Sequence, residues 1–205
     1  MNEIVYLIDQ AERHFEQKNY EIGASYNLDA WITLKEFLIE NEIRKTNEIE
    51  FTSLKDTEFV QTWVNQFHIM ANEEFQFQTN LEILSSMLEY FEFTNDELII
   101  KQRALCDTYY YLNDIKHCDE LYESYIEKNP AIMEYYYGYA LTLYDREEYS
   151  FAIEKLEEGL SKTSETDNQF VYLALEVIAR IYEELDQSEN VSKTKDRLAK
   201  LKELA

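Results

Sequence analysis

Between Gln102 and Ser164 the chain reads nearly the same line twice. Leu105-Cys106-x2-Tyr109, Cys118-x3-Tyr122 and Pro130 are followed, at an offset of about 34 residues, by Tyr139-Ala140-x2-Leu143 and Ala152-x3-Leu156. A period of this length built on paired helices is the signature of a solenoid, in which each unit buries its apolar face on its neighbours. The small residues, Cys106 and Cys118 in one copy and Ala140 and Ala152 in the next, fit where the two helices of a hairpin cross. A larger side chain there pushes the helices apart.

Outward from this core the composition agrees. One proline and three glycines in 205 residues argue for long helices joined by tight turns. Apolar spacing and capping residues predict an all-α protein of about ten helices in five hairpins. Thr94-x-x-Glu97 reads as a capping box and Ser53-x-x-Asp56 as a weaker one. Pro130 is expected in the first turn of the seventh helix. Lys45–Thr52 and Ser161–Asp167 are the two sizeable connections, the first being the expected hinge. The chain is therefore expected to form one repeat domain over 1–205, with a subdivision into an N-terminal hairpin, 1–50, and an array, 51–205.

Residues 98–164 resemble tetratricopeptide repeats, whose pattern is aromatic-x2-Leu-small-x2-Tyr, then small-x3-aromatic, then Pro. The second copy supplies Tyr136, Tyr139, Ala140, Leu143, Tyr149, Ala152, Leu156, Gly159 and Leu160. The first has Gln102 where a large aromatic is usual. A degenerate third copy follows through Ile178-Ala179-x2-Tyr182 and Val191. The N-terminal hairpin fits loosely through Ala11, Tyr20, Gly23 and Ala30, and residues 57–93 fit only as helical hairpins. The resemblance implies a right-handed superhelical α-solenoid of antiparallel hairpins that binds other chains. A fainter likeness, through Asp29-Ala30-Trp31-x-x-Leu34-Lys35, is to a helix of small bacterial proteins with a Cys-rich metal-binding tail. Without a Cys-rich segment here, only a bacterial source is taken from it.

The charge narrows the partners. Nineteen basic against 42 acidic side chains give a net charge of −23. Nucleic acid and anionic membrane surfaces are both held by Lys and Arg, so neither is an expected partner. The last helix concentrates Lys193, Lys195, Arg197, Lys200 and Lys202, read as a solvated, dipole-complementing stretch with a docking patch as the alternative. No apolar run has the ~18–20 residues of a membrane span. The acidic start, Met1-Asn2-Glu3-Ile4, is unlike a signal peptide. Two cysteines make no disulfide framework, and a cytoplasmic location is the expectation.

No chemistry stands out. Cys106 and Cys118 have neither zinc-knuckle nor redox spacing and are expected as packed thiols. His14, His68 and His117 are scattered and read as surface or core filler, and neighbouring glutamates point about 100° apart on a helix, as solvated faces do. No catalytic residue, metal or cofactor is expected. What the repeat register does offer is a concave strip rich in tyrosine: Arg103, Asp107, Tyr110, Tyr111, Tyr137, Leu141 and Tyr144, continued by Glu176 and Arg180. Tyrosine gives contact area and a hydrogen bond at little rotamer entropy, although it also fills space between helices. The mixed charge of the strip does not reproduce the Lys/Arg/Asn clamp with which related repeats hold an acidic C-terminal tail. The expected function is a non-catalytic scaffold binding a protein or peptide of basic or mixed charge. The alternative is a structural oligomerisation or adaptor module, a homodimer being the simplest form, acting through its terminal helices.

Overall fold

Ile4, Ile8, Ala11 and Phe15 share one face of a 3.6-residue repeat, and all four are buried where α1 (Glu3–Glu16) meets α2 (Tyr20–Glu40). The same rule builds the rest of the chain. The computed structural model describes residues 3–73, 76–163 and 169–204. Beyond α2 come a 3-10 helix (Thr46–Phe51), α3 (Thr57–Glu73), α4 (Phe77–Tyr90), α5 (Asn95–Tyr111), α6 (Ile115–Lys128), α7 (Met133–Asp145), α8 (Tyr149–Lys162), α9 (Gln169–Glu184) and α10 (Ser188–Leu204). No strand occurs among the described residues. The described residues are all-α, and consecutive helices pair as hairpins: α1 with α2, α3 with α4, α7 with α8 and α9 with α10.

The contacts divide the chain into two compact units, Met1–Asp114 and Ile115–Ala205. In the first, Trp31, Leu34, Leu38, Ile49, Val60, Trp63, Phe67, Ile83 and Met87 belong to one buried core. Burying an aromatic or a branched aliphatic side chain contributes roughly 1.5–3 kcal/mol relative to leaving it in water. The Trp63 indole N–H donates to Asn27 Oδ1 at 3.2 Å, so the ring enters the core without an orphaned donor.

The stretch expected as a hinge, Lys45–Thr52, is instead anchored to this core. Ile49 is fully buried, and the Tyr90 hydroxyl donates to the Ile43 carbonyl at 2.6 Å. Thr46 Oγ1 donates to Glu97 Oε1 at 2.7 Å. Thr94-x-x-Glu97 forms the expected capping box at the start of α5. Ser53-x-x-Asp56 starts nothing: α3 begins at Thr57, and Asp56 is left-handed at φ 57.

In the second unit α7 packs on α6, α8 and α9, and α9 packs on α8 and α10. Tyr136, Tyr139, Ala140, Leu143, Ala152, Leu156 and Gly159 are all buried, as the repeat pattern requires. Gly159 is there because nothing larger fits: a Cβ would stand 2.7 Å from Tyr136 Cγ and 2.8 Å from Met133 Sδ. Gly23 plays the same part between α1 and α2, where a Cβ would meet the Phe15 ring at 2.7 Å. Pro130 precedes α7 rather than opening it, in a turn closed by Ile132 N–H donating to the Asn129 carbonyl at 3.0 Å.

Five helices end identically. Lys18, Glu42, Asn113, Glu147 and Asp186 adopt φ between 55 and 62. At Glu147, its N–H donates to the Tyr144 carbonyl and the next N–H, of Glu148, to the Leu143 carbonyl, both at 2.9 Å. This is the Schellman arrangement, and the other four sites repeat it. Asn113 and Glu147 are spaced as Cys106 and Ala140 are, whereas Asp186 comes later in the chain than that spacing would put it. The third copy therefore keeps the hairpin and lengthens the connection before it.

Candidate functional site

The expected strip falls on three helices. Arg103, Asp107, Tyr110 and Tyr111 are on α5 of the first unit. Tyr137, Leu141 and Tyr144 on α7, with Glu176 and Arg180 on α9, belong to the second. Spacings of three and four place each set along one helix face.

On α5, Arg103, Asp107 and Tyr110 are half-buried, and Tyr111 is 53% exposed. The Tyr111 ring stacks on Phe77 of α4, with centroids 4.7 Å apart and planes 18° apart. An aromatic ledge of this kind offers area without flexible groups that need ordering.

The α7–α9 face is the more developed surface. Tyr137, Leu141 and Tyr144 are half-buried, whereas Glu176 and Arg180 are exposed. At one end Tyr137 leans on Phe170, with ring centroids 5.5 Å apart. At the other, Tyr144 packs against Tyr149 at 5.5 Å, and both hydroxyls donate to Glu184. The Tyr144 hydroxyl takes Oε1, and Tyr149 takes Oε2 at 2.8 Å. Those two donors hold the Glu184 carboxyl below its usual range, with Arg180 assisting. The same bond to Glu184 raises the Tyr144 phenol and pushes Tyr149 up to about 12. The result is a fixed carboxylate between two rings, beside the Arg180 guanidinium.

Three members of this face lie outside the expected set. Glu184 completes the i, i+4, i+8 row begun by Glu176 and Arg180, a spacing visible in sequence but indistinguishable there from a solvated glutamate pair. The repeat pattern assigns Tyr149 to the core. Phe170 has no counterpart in that pattern, because it follows the lengthened connection.

With this geometry in view, comparison with known proteins adds little beyond fold. No family model matches the chain, and no curated protein matches it. Solved structures of MamA are similar in outline. MSR-1 MamA is 14% identical over 98% of this chain and 97% of its own, with a TM-score of 0.48. Two crystal forms of AMB-1 MamA give 15% identity, 98% and 93% coverage and 0.46, and 14%, 97% and 98% and 0.45. Likeness at this level transfers neither a partner nor an activity.

Other polar groups have evident structural work. Cys106 and Cys118 are buried thiols. His14 stacks on Tyr26, with centroids 5.4 Å apart, and His117 lies at the surface. His68 does more than fill space. Its Nδ1 lies 3.2 Å from Lys101 Nζ, which also donates to the carbonyls of Val64 at 3.1 Å and Asn65 at 2.7 Å. Burial pulls the Lys101 ammonium down to about 8, and burial with the Lys101 charge pulls His68 down to about 4. Lys101 is 2% exposed, which suits a helix-packing clamp. Among the described residues no three His, Cys, Asp or Glu side chains gather to hold a metal ion. None of the helices there is long and apolar enough to cross a membrane.

Proposed function

We propose that the protein is a non-catalytic protein-binding scaffold, with the α7–α9 face as its principal contact surface and the α5 face as a second. The observation that carries this reading is the arrangement of Tyr137 with Phe170 and of Tyr144 with Tyr149 around Glu184. Rigid aromatic area and a fixed carboxylate stand beside the exposed Glu176 and Arg180. Such a surface suits an extended peptide: rings take apolar side chains, and the mixed charges set register. The net charge of −23 favours a basic or mixed-charge partner and repels an acidic one.

A photo-crosslinking residue in place of Tyr137, introduced in the source cell, tests this. It should trap a protein that the same residue at Glu127, on α6, does not. With the trapped partner purified, Tyr137→Ala and Phe170→Ala should each weaken binding at least tenfold, about 1.4 kcal/mol. Equal trapping at both positions, or unchanged affinity, removes the reading.

One observation favours self-association through the last helix as a second reading. A cavity of about 280 Å³ at the α9–α10 end has Leu160, Val171, Leu175 and Leu201 in its lining, with Arg197 and Lys200. Uncovered apolar surface of this kind invites another chain. Light scattering that gives a strict monomer at high concentration eliminates it.

A further inference from the structure

A second surface of the same unit points to a ligand of its own. Tyr139, Leu143 and Arg146 each sit two positions on from Tyr137, Leu141 and Tyr144. Tyr139 and Leu143 therefore lie about 200° round α7, on its opposite side, with Arg146 at the cap that follows it. There a cavity of about 350 Å³ opens between α6 and α8, with Tyr139, Leu143 and Phe151 among the side chains lining it. That volume is at the small end of ligand pockets, about 300–1,000 Å³, and suits one side chain.

The charges around it are unequal. Arg146 Nη1 holds both Asp119 oxygens, at 2.9 and 3.1 Å, and its Nε reaches Glu148 at 3.1 Å. Lys155 Nζ pairs with Glu123 at 2.7 Å and Glu158 at 3.6 Å. Both cations in the lining are thus committed, whereas Glu154 makes no ion pair among the described residues.

The independent sign of a missing partner is Tyr139. Its residue is only 7% exposed and its ring stacks on Tyr122, centroids 5.2 Å apart. Tyr139 lines the cavity, and its hydroxyl makes no hydrogen bond to the described residues, which leaves it open to a ligand group. Burial, with Asp119 and Glu123 nearby, raises this phenol, so at neutral pH it stays protonated in a field that favours a cation. Phe151, 59% exposed, gives the opening an apolar wall.

We infer that the pocket between α6 and α8 takes a lysine side chain of a protein partner, its methylenes against Leu143 and Phe151 and its ammonium toward Tyr139 Oη, Glu123 and Glu154. Tyr139, Glu123 and Glu154 offer acceptors on three separate groups, which a compact ammonium with three N–H donors matches.

The full-length protein, labelled for amide NMR, decides this with four probes. They are the peptide acetyl-Ala-Ala-Lys-Ala-Ala-amide, its norleucine and acetyl-lysine counterparts, and 1,4-diaminobutane. The lysine peptide should give saturable shifts in amides of α6 and α8 around Tyr139, with a Kd on the order of a millimolar. Norleucine and acetyl-lysine peptides should give none. Tyr139→Phe and Glu154→Gln should each weaken binding about threefold or more, and Glu89→Gln, in the other unit, should not. Should Tyr139→Phe fail to fold, the exposed Glu154→Gln decides alone. Shifts that never saturate or scatter over the acidic surface, or unchanged affinity in Glu154→Gln, would overturn the proposal. So would binding of the diamine without binding of the lysine peptide.

Discussion

Replacing Glu147 with glycine should make this protein more stable, although it removes a side chain and adds none. Glu147 sits at φ 61, where the Cβ of an L-residue crowds the following carbonyl. That conformation costs roughly 1–2 kcal/mol, and glycine avoids it at an added chain-entropy cost of ~0.5–1 kcal/mol. The net expected gain is ~0.5–1 kcal/mol. The Glu147 side chain is exposed, so little else is lost. Lys18 and Glu42 have the same geometry and exposure, at φ 62 and 58. They lie at separate helix junctions, so the triple variant Lys18→Gly, Glu42→Gly, Glu147→Gly should gain ~1.5–3 kcal/mol if the sites add. At ~2–4 °C per kcal/mol for a chain of this size, thermal melts by circular dichroism resolve that readily. Glu154→Gly, in the interior of α8, is the control and should lose ~1 kcal/mol. The reasoning fails if Glu147→Gly is neutral or destabilising, or if Glu147→Val, which cannot relax there, is no worse than wild type.

Gly159→Ala should cost ~1–3 kcal/mol in urea titration, since its Cβ would meet Tyr136 and Met133 below 3.0 Å. A loss no larger than an ordinary surface substitution causes, within about 0.5 kcal/mol, would mean that the crossing can widen freely. His68 should make stability fall in mild acid. Its folded pKa, about 4, lies below the unfolded value of 6.5, so the unfolded chain binds the extra proton. Its contribution is whole above pH 6.5 and is lost as pH falls toward 4, by roughly 2 kcal/mol between pH 7 and 5. His68→Gln should flatten that part of the profile, and Lys101→Met should raise the His68 pKa seen by NMR. Lys101 itself, with its folded pKa at about 8 against 10.5, works the other way: the destabilisation caused by burying its charge is full below pH 8 and fades by pH 10.5. Cys106 and Cys118 should react with a thiol reagent only after denaturation, because both are buried. Rapid labelling of the native protein would contradict their packing.

Much of the fold was legible because packing leaves a periodic trace. The small residues Cys106, Cys118, Ala140 and Ala152 are all fully buried, and spacing alone marks Ala140 and Ala152 as the place where α7 and α8 cross. The Thr94 cap was readable because its partner Glu97 is local. The turns were less so: five left-handed C-termini use Lys, Glu, Asn and Asp, so the glycine that normally signals this geometry is missing. Lys45–Thr52 looks like a hinge in sequence because its anchors, Tyr90 at the end of α4 and Glu97 at the start of α5, lie far along the chain. The candidate face was partly visible. Tyr137 and Tyr144 follow from register, but Tyr149 and Glu184 join it through a hydrogen-bonded pair of phenols that no local spacing encodes. Lys101 was hidden for the same reason, since its three acceptors all come from α3.

Both tryptophans, Trp31 and Trp63, lie 2% exposed in the core of the first unit, and the second has only tyrosine and phenylalanine as its large aromatics. Excitation at the red edge, where tyrosine is dark, therefore watches one half of the molecule alone. Tyrosine signal or circular dichroism watches both. The chain thus carries its own optical label for asking whether its halves melt together or in turn, and on which half any bound partner acts.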